Sequence, residues 1–246
     1  MRHRVVEPLG FAEILEEALG LTRRHLGLVL ALDLSFVPLF LVSNFLNPTN
    51  PNEAVTLAVA LGLLGLALQT VGATATTYAM GGVYLGEDVT LGDAFGRGIS
   101  RALPLFVTQL LGGLLALVGF LLFILPGVYL SLAFLLVSPV VVVESVAGSK
   151  ALSRSRVLMR GHLFRGAALL AVSMVVFLLA GTAGIFLSSL APPLAEVIEV
   201  ALNAIVAGYF TTVVTIFYFD LRCRKEGYSG AVAAADAVPS RPDPIG

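Results

Sequence analysis

Six long apolar runs, separated by short polar connections, dominate the chain. A helix needs about 20 apolar residues to cross ~30 Å of hydrocarbon, and each run meets or approaches that length. The first covers residues 26–46 and is followed by Asn47-Pro48-Thr49-Asn50-Pro51-Asn52, a strong turn signal. The second, residues 54–85, is longer than an upright crossing needs, so it tilts or projects. The third covers residues 103–125. The fourth, 128–143, is slightly short and ends at Glu144. The fifth covers residues 163–190, before Pro192-Pro193, and the sixth covers 194–219 and ends at Asp220. Runs three and four form one block that would be about 60 Å long as a single helix. Pro126-Gly127 is therefore the expected hairpin point, with a re-entrant pair as the alternative. Pro139, inside the fourth run, lacks a backbone donor and is expected to kink that helix.

The connections also carry a pattern. Phe11, Ile14, Leu15, Ala18, Leu19 and Thr22 follow helical spacing, with Glu13, Glu16, Glu17 and Arg23 on the other face. Leu91, Ala94, Phe95, Ile99 and Ala102 repeat that spacing, as do Ala151, Leu152, Val157 and Leu158. Each segment reads as an amphipathic helix at a membrane surface, and each precedes an odd-numbered run. An internal repeat of three units, each a surface helix plus two spans, is one reading. The other is that any even-span protein with short outer loops has this appearance.

Charge distribution fixes the expected orientation. Of 246 residues, 57% are hydrophobic and only 13% charged, against about 25% charged in soluble domains. The 15 basic residues fall before run one, between runs two and three, around the connection between runs four and five, and after run six. None falls after runs one, three or five. Basic residues mark the cytoplasmic side. The expected fold is thus an all-α bundle of six transmembrane helices in the cell membrane, with both termini and the amphipathic interfacial helices cytoplasmic. Residues 1–25 form the N-terminal segment, 26–220 the transmembrane domain, and 221–246 a basic juxtamembrane segment with a disordered tail rich in Gly, Ala, Asp and Pro. The N-terminus does not read as a cleaved signal peptide: Arg2 and Arg4 lead into an acidic amphipathic stretch rather than an apolar core.

Two segments carry a resemblance. One runs from Ile124-Leu125-Pro126-Gly127-Val128-Tyr129 through Ser138-Pro139 and Glu144 to Arg160-Gly161-His162-Leu163-Phe164. The other is Tyr218-Phe219-Asp220-Leu221-Arg222-Cys223-Arg224-Lys225-Glu226-Gly227-Tyr228. Together they resemble bacterial and archaeal membrane proteins that include the YciC-like proteins and the membrane domain associated with glycerophosphodiester phosphodiesterases. The resemblance covers the second half of the chain; the first half matches only in helix pattern. An aromatic often follows the Ser of the Ala-Leu-x-x-Ser segment in such relatives, whereas Arg156 stands there in this chain. The resemblance implies a six-helix membrane fold and no particular activity.

Ionisable residues at membrane depth default to functional hypotheses. Asp33 lies roughly 10 Å into span one. It is either an ion, proton or substrate contact or, more plainly, a carboxylate paired with an Arg or hydrogen-bonded to neighbouring helices. Glu199 and Asn203 share a face of span six with Glu196, and Gln69, Ala73 and Thr77 form a stripe on span two. Close helix packing is the plainer reading of both stripes, and a substrate path the sharper one. Glu144 with Lys150 and Arg154, next to Arg156, and Asp220 with Arg222, Arg224 and Lys225 form charge clusters at the membrane edge. They read as local ion pairs or as contacts to anionic headgroups, worth on the order of 1 kcal/mol per basic residue. The one cysteine, Cys223, excludes an internal disulfide. His3, His25 and His162 lie too far apart in sequence to suggest a metal site. No H-E-x-x-H, G-x-S-x-G or phosphate loop occurs, so no catalytic residue or cofactor is assigned. The leading expectation is a non-enzymatic membrane protein with a lipid-related or membrane-homeostasis role, its partners anionic lipid headgroups at the cytoplasmic face. A small transporter or channel using Asp33, Gln69, Glu199 and Asn203 is the rival, and an intramembrane lipid-modifying enzyme the third reading. No nucleic-acid partner is expected, and the sequence names no protein partner.

Overall fold

Glu13 folds back to accept from the backbone N–H of Gly10 at 2.5 Å. This opens the first helix, α1 (Phe11–Arg24), which ends with Arg23 and Arg24 at its negative pole. The protein, in a computed structural model, is described over residues 8–33, 50–190 and 195–227, without the side chains of 51, 52, 54, 188, 190, 195, 196 and 199. After His25 the chain resumes as α2 (Leu26–Asp33). The rest of the expected first span, residues 34–46, lies outside the described residues, as do residues 47–49 of the turn after it, the Pro192-Pro193 stop and the tail beyond 227. Then come α3 (Pro51–Leu85), α4 (Leu91–Leu122), α5 (Ile124–Ala133), α6 (Val137–Val143), α7 (Ser149–Met159), α8 (Leu163–Leu190) and α9 (Ala195–Glu226). Among the described residues, five helical stretches are long and apolar enough to cross a membrane: α3, α4, α5 with α6, α8 and α9. The chain is a multi-pass integral membrane protein.

Three boundaries differ from the sequence expectation. The segment 91–102 is not a separate surface helix. It is the first third of the 32-residue α4, about 48 Å long. Thr90 caps it by accepting from the N–H of Asp93 at 3.2 Å. Gly98 then brings it tight against α3, where an added Cβ would stand 2.9 Å from the Cβ of Ala75. Ala94 and Gly98 are buried there, while Leu91 and Ile99 stay exposed. The hairpin between α4 and α5 turns at Phe123, which is extended (φ −162°, ψ 154°), and not at Pro126-Gly127. Pro126 fits the first turn of α5, where its missing N–H costs nothing. Gly127 is there for closeness, since a Cβ would overlap the ring of Phe120. Finally, α9 runs straight through Asp220 to Glu226, so the transmembrane helix and the basic juxtamembrane segment are one element.

Where the sequence predicts a kink at Pro139, the structure has a full break. Pro139 stands third in α6, so the carbonyl of Leu135 has no helical donor, and the helix is interrupted at residues 134–136. The loose ends are covered by one hydroxyl from α7: Ser155 Oγ donates to the carbonyl of Ala133 at 2.8 Å and accepts from the N–H of Leu136 at 3.2 Å.

The core gathers at the end of the bundle that carries the charged residues. Ile14, Leu32, Met80, Tyr84, Leu136, Leu158, Phe217, Tyr218 and Phe219 are all buried there. Towards the other end, apolar side chains such as Val59, Leu63, Leu114, Leu121, Leu179 and Ile185 stand exposed, the surface a helix presents to lipid. α9 and the α5–α6 pair are the most buried crossings.

Candidate functional site: a polar cavity at membrane depth

Burying polar groups in the bilayer is costly unless they hydrogen-bond, and α3 and α9 meet that demand locally. Thr70, Thr77, Thr212 and Thr215 each donate back to the carbonyl four residues earlier at 2.7 Å. That leaves their oxygens free to accept across helices. Thr77 Oγ1 lies 3.1 Å from Ser138 Oγ on α6, and Thr22 Oγ1 on α1 donates to Thr212 Oγ1 at 3.4 Å.

The helix break, the threonine stripe of α3 and the end of α2 surround a cavity of about 390 Å³. Asp33 contributes a carboxylate that is only 7% exposed. Thr76 Oγ1 donates to it at 3.3 Å, and among the described residues no basic group lies within ion-pair distance of it. Gly208 on α9 makes room: an added Cβ would stand 2.9 Å from Asp33 Oδ2 and would overlap Val29 Cγ1. Thr77, Ser138 and Thr211 add hydroxyls to the wall, while Phe134, Phe210 and Val214 add apolar surface. Gln69 on α3 and Gln109 on α4 complete the lining, and both are exposed. Two exposed amides at this depth mark the mouth.

The structure therefore brings Asp33 and Gln69 to one cavity. Asn203 is exposed and is not part of its lining; it stands one turn beyond Ala207, which is. The side chain of Glu199 lies outside the described residues. Gln109, Ser138 and Thr211 are not among the candidate site residues the sequence offers. Gln109 was the legible one, an amide in an apolar run. Ser138 and Thr211 are ordinary polar residues whose meaning depends on which helices meet.

The membrane-edge residues form two ionic networks at the charged end. Glu144 accepts from Arg154 Nε at 2.8 Å and from the hydroxyl of Tyr218 at 2.9 Å, and Arg222 Nη1 donates to that same hydroxyl at 3.2 Å. Glu226 bridges Arg154 and Arg222 from below. The hydrogen bonds that Arg154 donates to Glu144 and Glu226 raise its guanidinium pKa above the ordinary value. In the second network Asp220, fully buried, pairs with Arg165 at 3.2 Å and Arg224 at 3.1 Å. It also accepts from the backbone N–H of Leu9 at 2.8 Å. The carbonyl of Leu9 accepts from Arg165 and Arg224, so the entry to α1 is clamped onto α8 and α9 through its backbone. Lys225 Nζ caps α7 by donating to the carbonyls of Val157 and Arg160 at 2.7 and 2.6 Å. Lys150 and Arg156 belong to neither network and stand exposed on α7. Among the described residues no group of three His, Cys, Asp or Glu side chains comes together as a metal site would require.

No protein-family model matches the chain, and comparison with curated proteins and with solved structures gives no match.

Proposed function

We propose that this is a non-enzymatic membrane protein that takes a small, hydrogen-bonding and preferentially cationic solute into its cavity and passes it across the bilayer. The observation that carries this reading is Asp33: a carboxylate without a basic partner among the described residues, facing about 390 Å³ of open space. Intramembrane carboxylates are expensive to keep and line substrate or ion paths. Irregular backbone at such depth is tolerated where it lines a cavity, and interrupted helices recur at transporter binding sites. The break at residues 134–136 stands in the wall of this one. Among the described lining residues Asp33 is the single carboxylate, and there is no histidine or lysine. A cavity with no acid–base pair favours binding over catalysis.

The same reading includes six crossings, the charged end in the cytoplasm and the cell membrane as the location. Leu9 and Asp220 are bonded to each other, so the two ends of the described chain share a side and the number of crossings between them is even. Five are described, and the sixth crossing expected from the sequence makes the count even.

Cysteine accessibility tests the cavity. Ser138→Cys, in a Cys223→Ser background, is expected to react with small methanethiosulfonate reagents and to prefer the cationic ethylammonium form over the anionic ethylsulfonate by roughly tenfold or more. One unit charge on the wall of the same partly wet cavity gives on that order. Asp33→Asn should erase the preference while leaving the reaction. If the thiol introduced by Ser138→Cys reacts with neither reagent, the cavity is dry and the proposal fails.

A further inference from the structure

Four of the arginines near the charged end (Arg154, Arg165, Arg222 and Arg224) lie within ion-pair distance of a carboxylate. Arg97 and Arg101 differ: among the described residues neither has a carboxylate partner. They stand four residues apart, on one face of the first third of α4. Both line a second cavity of about 170 Å³ between α3, α4 and the end of α6. The guanidinium of Arg97 lies over the ring of Tyr78, 5.3 Å from its centre. Arg101 Nη2 donates to Ser145 Oγ at 2.6 Å. These contacts orient the two planar forks and use a small part of their donors, since each guanidinium carries five N–H groups. Ser145 holds a left-handed backbone (φ 58°), a conformation that costs energy in a residue with a side chain. Here it goes with the hydroxyl that meets Arg101.

The floor is apolar, from Gly81, Gly82, Val142, Val143 and Phe219. A carboxylate, Glu87, also lines the cavity, so the local formal charge is one positive rather than two. Of the other acids close by in sequence, Asp88 is exposed, Asp93 accepts from the hydroxyl of Thr90 at 2.6 Å, and Glu144 is taken up by Arg154 and Tyr218. Outside the cavity Ile99 and Leu103, on the same helix, are 67% and 70% exposed, which places the arginines at the boundary of the apolar surface.

The geometry points to a phosphate-binding site in which Arg97 and Arg101 clasp one phosphate group, that of an anionic phospholipid headgroup or the free anion. Paired arginine forks match phosphate oxygens in charge and in planar geometry. An apolar floor beside them suits a phosphate esterified to a lipid. The site stands apart from the Asp33 cavity and does not depend on solute transport.

Native mass spectrometry of the full chain in detergent, titrated with phosphatidylglycerol, tests it. The unaltered protein is expected to retain one lipid selectively. R97Q/R101Q should weaken retention by roughly tenfold or more, while K150Q/R156Q, which removes the same charge from exposed positions on α7, should not. The thermal midpoint of R97Q/R101Q without lipid should match that of the unaltered protein, which separates lost binding from lost folding. Should R97Q/R101Q prove too unstable, R97K/R101K keeps the charge without the forks and is expected to bind at an intermediate level. Inorganic phosphate distinguishes the sources: lipid resistant to millimolar phosphate identifies the headgroup, and thermal stabilisation by phosphate with no retained lipid identifies the free anion. Equal retention by R97Q/R101Q and the unaltered protein overturns the site. So does an equal loss in K150Q/R156Q, or the absence of both lipid retention and phosphate stabilisation.

Discussion

Ser155 shows how much one hydroxyl can hold at membrane depth. It is fully buried, and it alone ties the carbonyl of Ala133 and the N–H of Leu136 across the break. In Ser155→Ala both groups lose this partner. An unsatisfied buried group costs about 1–3 kcal/mol, so a loss of at least that size is expected in detergent unfolding. Ser131→Ala is the comparison. Ser131 is exposed and its hydroxyl bonds the carbonyl of Gly127 in its own helix at 2.9 Å, so a change within about 0.5 kcal/mol is expected. Equal losses in the two variants would show that the bridge contributes nothing. Little of this was legible beforehand. Pro139 announced a disturbance in span four, because a residue without an N–H must leave a carbonyl unpaired. Which side chain repairs the damage depends on where α7 returns, and a serine among Ser153, Arg154 and Arg156 gives no sign of it. Asp33 was visible for the opposite reason: a carboxylate in an apolar run stands out whatever it contacts.

At the scale of elements, the long apolar runs were readable, and the assignment of amphipathic faces was only partly so. An apolar stripe states that a face is covered without saying by what. For 91–102 α3 covers only the side that carries Gly98, Ile99 stays exposed, and the segment is continuous with the rest of α4, whereas α7 stays a separate helix tied by its own ends. Those ends carry a pH dependence. His162 follows α7 and precedes α8. Its pKa is lowered from 6.5, first by burial and then by the positive charges of Lys225, Arg165 and Arg224, with Asp220 opposing. A lowered histidine pKa means that the folded chain binds the proton less readily than the unfolded one. Its contribution is fully present above about 6.5 and is lost as pH falls through the lowered folded value. The thermal midpoint is therefore expected to fall as pH is taken from about 8 to about 5. His162→Gln should flatten that fall, leaving the part that belongs to the carboxylates. An unchanged pH profile in the variant would mean that the proton is taken up equally in both states.

For the whole molecule, orientation is where sequence and structure bear on each other most directly. Charge patterning placed every basic residue on one side, an argument about translocation that uses no contacts. The structure arrives at one charged end by another route. Glu144, Asp220, Arg222 and Arg224 meet Leu9, α7 and the last turns of α9 there, and the networks they form join elements far apart in sequence. α3 begins at the far end, because its 35 residues extend about 52 Å before Leu85 reaches the charged side. Asn50 and Ser153 therefore mark opposite faces of the bundle. With the charged end in the cytoplasm, a cysteine at Asn50 should react with an impermeant maleimide added to intact cells, and a cysteine at Ser153 should react only after the membrane is opened. Cys223→Ser supplies the background for both. Reversed labelling would keep the bundle and invert the protein, moving the phosphate site and the clamp on Leu9 to the outer surface. Labelling of both positions from outside would be more damaging, since it would place α7 and the start of α3 on one side and contradict the three apolar helical stretches described between them.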